Sequence, residues 1–206
     1  MIITDYNIDV EEGFFEEDEF IKMGKIICND CDEAKIKKAY FDAKKAQENF
    51  EKENYKKQIE LLEGKTKGTK ILVVSHPYNI YDELIGKPIL KYLKKLDVVA
   101  IMADLFDKEE AMLLSDKISS RLYWTYNKEL LGALEFFRKK VDGVIFIVTF
   151  PCGPDSLVTD LCVRKLKGLP MMTLVLDELQ GEAGIKTRIE SFVDVLKMKK
   201  EKNAKK

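Results

Sequence analysis

Four short apolar runs constrain this chain more than any other feature. "ILVVS" (71–75), "VVAIM" (98–102), "VIFIVTF" (144–150) and "MMTLVL" (171–176) are continuous rather than alternating. A strand with one wet face alternates apolar and polar residues, whereas a strand covered on both faces does not. Helical stretches separate the runs, at about 83–96, 107–118, 126–140 and 155–167, and another follows at about 185–199. Two of these lie between the second and third runs, joined by "SSRLYWTY". The alternation predicts an α/β domain with a doubly wound, mainly parallel four-stranded sheet of the flavodoxin-like kind. Hydrophobic residues make up 46% of the 206, enough to fill a core under both faces. No internal repeat is visible.

A long helix precedes this domain. Over 33–63, Ile36, Tyr40, Ala43, Phe50, Ile59 and Leu62 fall roughly on one stripe and the rest is Lys, Glu and Gln. "GKTKG" (64–68) stops it. Such a helix is polar over most of its surface and is expected to pack on the edge of the domain or on a partner. The expected organisation is an acidic N-terminal segment (1–32), the long helix and linker (33–68), the α/β domain (69–198) and a basic tail (199–206). The acidic segment holds a short helix at most.

Charge excludes some partners. The formal net charge is -1, which suits neither nucleic acid nor an anionic membrane. Lys197 to Lys206 form the only basic cluster and read as a solvated, frayed end. The N-terminus is acidic and lacks the apolar core of a signal peptide. No apolar run approaches the roughly 20 residues of a membrane span. A cytoplasmic location is the expectation, and in that reducing compartment the four cysteines should be core residues, ligands or redox thiols rather than a disulfide framework.

In open parallel sheets, ligands bind beyond the carboxyl ends of the strands. The residues that follow each run are therefore the candidates. "SHPYNIYDE" follows the first, Ala103-Asp104 the second, "PCGPDS" the third and "DELQGEAGIKTR" the fourth. His76, Tyr78, Asn79, Tyr81, Asp82, Glu83, Cys152, Asp155, Ser156, Asp177, Glu178, Glu182 and Arg188 thus share one edge. His76 is the only histidine: a general acid or base, or a loop anchor. Glycines around Glu182 imply a special backbone path there. Arg188 suits an anion or an ion pair with Asp177, Glu178 or Glu182.

The cysteines divide by position. Pro154 suits the first turn of a helix, which places Cys152 just before a helix N-terminus. The positive end of the helix dipole would favour its thiolate, ready to ligate metal or attack an electrophile. A small packed loop residue is the equal alternative. Cys162 lies mid-helix among Leu161, Val163 and Leu166 and reads as core. "CNDC" (Cys28, Cys31) has the spacing of half a metal site, and equally that of a turn before a helix. A thioredoxin-like role lacks the strand and helix that frame such motifs. No Walker-type glycine loop is present, which argues against ATP hydrolysis by this chain.

"HPYNIYDE", "LYWTYNKELLGA", "FPCGPDS" and "DE..GEAGIKTRIESFVD", taken in order with "IKKAYFDAKKAQENFE", resemble the acyl-CoA dehydratase activase-related proteins. These belong to the wider 2-hydroxyacyl-CoA dehydratase component superfamily, found mainly in anaerobic bacteria, and the resemblance spans about residues 33 to 196. It implies a [4Fe-4S] cluster held by cysteines at strand ends, with Cys152 as the matching ligand; Cys28 and Cys31, which have no clear counterpart in the family, are the candidates for additional ones. In the superfamily such a cluster receives an electron from an ATP-dependent activator, and a 2-hydroxyacyl-CoA loses water. It implies electron transfer or radical dehydration by a partial unit, a lyase component if an enzyme, with acyl-CoA as a ligand. Relatives carry a further α/β domain upstream of the long helix, so the resemblance implies a C-terminal half completed by a partner chain or by a homodimer. One matched cysteine is short of the three or four thiolates a cubane takes. The family's usual "DEHTGEAG" also reads Leu179-Gln180 in place of its His-Thr pair. The alternative is a cluster-free, truncated paralogue acting as a non-enzymatic interaction subunit.

Overall fold

The computed structural model describes residues 16–28, 30–64, 68–150, 152–177 and 182–204. By contacts the chain divides into two units, Met1–Glu53 and Asn54–Lys206. The division falls inside the long helix, α2 (Glu33–Glu63).

In the first unit, α1 (Glu16–Ile27) and the first part of α2 form a helical hairpin. Four acidic residues, Glu16 to Glu19, open α1, where the helix dipole favours negative charge. Asp32 caps α2 by accepting a hydrogen bond from Lys35 N at 2.7 Å. Ile21, Ile36 and Tyr40 are buried, and the rings of Phe20 and Tyr40 lie 5.4 Å apart. A side chain at Gly24 would come within 2.6 Å of Ile36, so this glycine permits the close approach of the two helices. Cys28 and Cys31 are joined by a disulfide across the turn. This corrects the expectation of free thiols: the turn between α1 and α2 brings their Cα atoms to 5.4 Å, inside the range a disulfide spans. Phe50 on the expected stripe is 58% exposed.

The second unit is the α/β domain. Its strands are β1 (Thr69–Val74), β2 (Val98–Met102), β3 (Gly143–Thr149) and β4 (Met171–Leu176). All pair in parallel, in the order β2-β1-β3-β4. The helices are α3 (Pro77–Ile80), α4 (Gly86–Lys95), α5 (Lys108–Ser115), α6 (Thr125–Phe137), α7 (Gly153–Lys165) and α8 (Glu182–Ala204). This is the doubly wound, flavodoxin-like α/β arrangement. Successive side chains of a strand face opposite ways, and both faces are covered. Leu72, Val74, Phe146 and Val148 pack in one core with residues of α5, α6 and α7. Ile71, Val73, Ile145 and Ile147 pack in the other with residues of α3, α4 and α8.

The last turns of α2 belong to this unit. Gln58 is buried, and its Oε1 accepts the Met102 N–H at 2.8 Å. That bond satisfies a backbone donor at the end of an edge strand. Asp142 similarly accepts from Lys70 N at 2.8 Å. The basic end also differs from expectation. α8 continues to Ala204, and Lys197 Nζ reaches Leu96 O at 3.3 Å. No described helix is long and apolar enough to cross a membrane.

Candidate functional site

The strand order reverses between β1 and β3, and a crevice at that switch point is where such sheets take ligands. The segments leaving these two strands meet there. Ser75 Oγ donates to Ile147 O at 2.8 Å, tying the end of β1 to β3. His76 follows in an extended conformation, φ -69° and ψ 146°, as the residue before a proline prefers. Its Nε2 lies 2.8 Å from Asp155 Oδ1, in the first turn of α7. Asn127 Nδ2, in α6, donates to the same oxygen at 3.3 Å. All three residues are buried. A carboxylate accepts only, so the bond places the proton of the imidazole on Nε2.

Two tyrosines enclose the imidazole. Tyr78 stacks on it at 5.1 Å, and Tyr126 meets it edge-on at 5.7 Å. Both rings otherwise face outward, 64% and 59% exposed, and Phe150, at the exit of β3, is 68% exposed. Beneath the pair lies a cavity of about 20 Å³, lined in part by Ser75, His76, Asn127 and Asp155. That is room for one water.

Cys152 is the N-cap residue of α7 and is half-buried. The helix N-terminus does not make it a thiolate. Burial pushes the thiol up, the Asp155 backbone N–H opposes this, and the Asp155 carboxylate adds to the rise. Burial and a neighbouring anion together outweigh the helix end, so the free thiol keeps its proton at neutral pH. Burial, with the charges of Asp155 and Cys152, also raises the Tyr78 hydroxyl. Ser156 Oγ donates to Cys152 O at 2.7 Å and so holds the cap.

A second group sits beyond β1 and β2. Tyr81 Oη donates to Asp104 Oδ2 at 2.8 Å. Burial raises the Asp104 carboxyl despite that bond, and its Oδ1 is buried without a hydrogen-bond partner among the described residues. Asn79 is buried too, and its Nδ2 lacks a partner among the described residues. The outer part of the Tyr81 ring is exposed, while burial of its hydroxyl end and the Asp104 charge push that hydroxyl well up.

Three of the remaining expected residues make local contacts. Asp82 Oδ1 accepts from Leu84 N and Ile85 N at 2.8 and 2.9 Å, shaping the loop before α4. Glu83 pairs with Lys87 on the surface. Arg188 Nη2 donates to Thr173 O at 2.6 Å, fastening α8 to β4. Asp177 follows β4 at the same edge. Glu178 lies outside the described residues, as does the side chain of Glu182, which opens α8. Asn127 was not among the expected site residues. Its signal was a polar residue in register with Leu131 and Leu134 on the buried stripe of α6.

The family described as the CoA enzyme activase uncharacterised domain matches residues 3–106. The chain belongs to this family. No curated protein and no solved structure matches the chain. Within the activase-domain match lie α1, α2, β1, α3, α4 and β2, with His76, Tyr78, Asn79, Tyr81 and Asp104. It ends before Asn127, Cys152 and Asp155, so the family membership rests on one half of the carboxyl edge.

A cubane cluster is held by three or four thiolates. The described part of the carboxyl edge offers Cys152. Cys162 lies inside α7, wholly buried, with burial pushing its thiol up to about 12. Cys28 and Cys31 are bonded to each other. Among the described residues no group of three or more His, Cys, Asp or Glu is placed to hold a metal. The described residues of this chain, by themselves, do not fit a resident cluster.

Proposed function

We propose that this member of the activase-domain family is a partial unit whose carboxyl edge docks on a partner protein and there contributes Cys152 to a [4Fe-4S] cluster. The partner supplies the remaining thiolates. The assembly works in electron transfer or in the dehydration of a 2-hydroxyacyl-CoA. The observation that carries this reading is the setting of Cys152. A lone half-buried thiol stands at the strand-order switch point, beside the buried His76–Asp155 pair, on an edge that also carries the outward-facing Tyr78, Tyr126 and Phe150. Exposed aromatics around a polar centre suit a protein interface. The protonated thiol fits an incomplete ligand set, because thiolate ligation is favoured only when metal displaces the proton.

The test is strictly anaerobic co-purification with the products of adjacent reading frames, followed by iron and labile-sulfide assay. A complex with about four irons, losing its iron in Cys152→Ser but not in Cys162→Ser, supports the proposal. Iron content indifferent to Cys152→Ser overturns the ligand role. The same single-thiol geometry favours a second reading, a cluster-free interaction subunit. In that case the complex forms equally well with Cys152→Ser and contains no iron, while Tyr78→Ala with Phe150→Ala prevents its formation.

A further inference from the structure

One sizeable cavity faces away from the carboxyl edge. It holds about 440 Å³ at the amino edge of the sheet, between the end of α6, the loop from α7 to β4, and α8. Five cationic side chains line it, Arg138, Lys139, Lys167, Lys199 and Lys200, against one carboxylate, Asp142. We propose that this cavity binds a small molecule carrying several phosphates, of nucleotide size. The proposal does not depend on the function assigned to the carboxyl edge.

Cations gather at helix C-termini for a plain reason: they offset the negative end of the dipole. That reason falls short here. α6 and α7 both end at this cavity, and each contributes roughly half a negative charge. Together with Asp142 and with Glu135, which pairs with Arg138, they still leave about two of the five positive charges without compensation. Asp142 is moreover divided between Lys70 N, at 2.8 Å, and Lys200 Nζ, at 3.1 Å.

Two of the cations, Lys199 and Lys200, also reach neutral groups. Lys199 Nζ donates to Gly168 O at 2.9 Å, and Lys200 Nζ reaches Gly68 O at 3.4 Å. A carbonyl oxygen fixes an ammonium without cancelling its charge. Gly168 has φ +88°, so the loop that presents its carbonyl takes a backbone path that favours glycine. Arg138 Nε lies 2.8 Å from Glu135 Oε2 but off the line of a hydrogen bond, leaving this buried N–H without an acceptor. Lys139 and Lys167 are exposed and make no hydrogen bond or ion pair with the described residues.

Chemistry narrows the ligand. Like-signed charges around a concave wall focus their field and draw in an anion of high charge. A single carboxylate would use one or two of the five donors, whereas two or three phosphates occupy the set. Val141, Leu169 and Leu196 supply an apolar wall between the cations, suited to a nucleoside or another uncharged portion of the same molecule.

The experiment is calorimetric titration of the full chain with adenosine 3′,5′-bisphosphate, inorganic pyrophosphate and adenosine, at low and raised salt. Saturable one-site binding of the bisphosphate or of pyrophosphate, weakened by salt, with none for adenosine, is expected. Lys139→Gln with Lys167→Gln should weaken it tenfold or more without altering the melting temperature. Lys91→Gln with Lys94→Gln, on α4, should leave it unchanged. Any of three results overturns the proposal: no saturable binding at millimolar probe, equal loss in both double variants, or binding confined to long oligonucleotides. Pyrophosphate matching the nucleotide would show a site that reads phosphates alone, which still supports it.

Discussion

Asp155 joins three side chains from separate parts of the sequence. Its Oδ1 takes His76 Nε2 and Asn127 Nδ2, and its charge adds to the burial that keeps the Cys152 thiol protonated. Asp155→Asn keeps the shape and removes the charge. The buried hydrogen bonds then weaken, at a cost of about 1–3 kcal/mol in stability. The Cys152 thiol should fall, because both effects of the carboxylate disappear while the helix N–H remains. Alkylation by iodoacetamide followed against pH reads this directly, since Cys162 is buried and the other two cysteines are bonded. An unchanged profile would separate Asp155 from Cys152. Cys162 makes a different prediction. Its thiol is raised from 9.0 to about 12 by burial. The unfolded chain therefore ionises first, and the stability that the neutral thiol contributes is complete below pH 9 and lost as pH climbs toward 12. In Cys162→Ala that loss is absent. The stability gap between parent and variant, measured by urea unfolding, should narrow steadily above pH 9; a constant gap would contradict the burial argument.

Elements were legible where one physical signal ruled them. The four apolar runs became β1 to β4 within a residue or two at each end, because strands covered on both faces cannot alternate. Helix ends were less legible, since caps depend on single side chains: Asp107 caps α5 by accepting from Glu110 N at 2.8 Å, which shortens the expected stretch at its start. The His76–Asp155 contact was not legible at all, for its partners lie 79 positions apart and nothing local links them. Nor was the fate of Cys28 and Cys31, because their spacing suits a turn, a metal and a disulfide alike. Gly132 carried a signal that sequence shows only as an odd glycine within a helix. A Cβ there would stand 1.9 Å from Ala111 O, so α5 and α6 touch through backbone. Gly132→Ala should therefore destabilise by about 1–3 kcal/mol despite the better helix propensity of alanine. Thermal unfolding tests the sign: a gain would mean that the helices separate without strain.

At the scale of the whole molecule, the parallel order β2-β1-β3-β4 puts two strands inside and two at the edges. The inner pair also carries the deepest burial. In β3 six consecutive residues, Gly143 to Val148, are buried, whereas β4 buries only Leu174 and Leu176. Opening β4 exposes little apolar surface and breaks one ladder; opening β3 breaks two and empties both cores. The helical hairpin of the first unit rests on fewer buried side chains, chiefly Ile21, Ile36 and Tyr40. Local opening costs least where least apolar surface is released. Native-state hydrogen exchange should consequently rank the amides. Those of α1 exchange soonest, those of β4 and β2 next, and those of β1 and β3 last, at the global unfolding limit. The order matters for the candidate site, because His76 and Cys152 hang from the ends of β1 and β3, the two slowest strands. If β3 amides exchanged as early as those of β4, the switch-point crevice would lose its rigid support, and the packing argument for the site would fail with it.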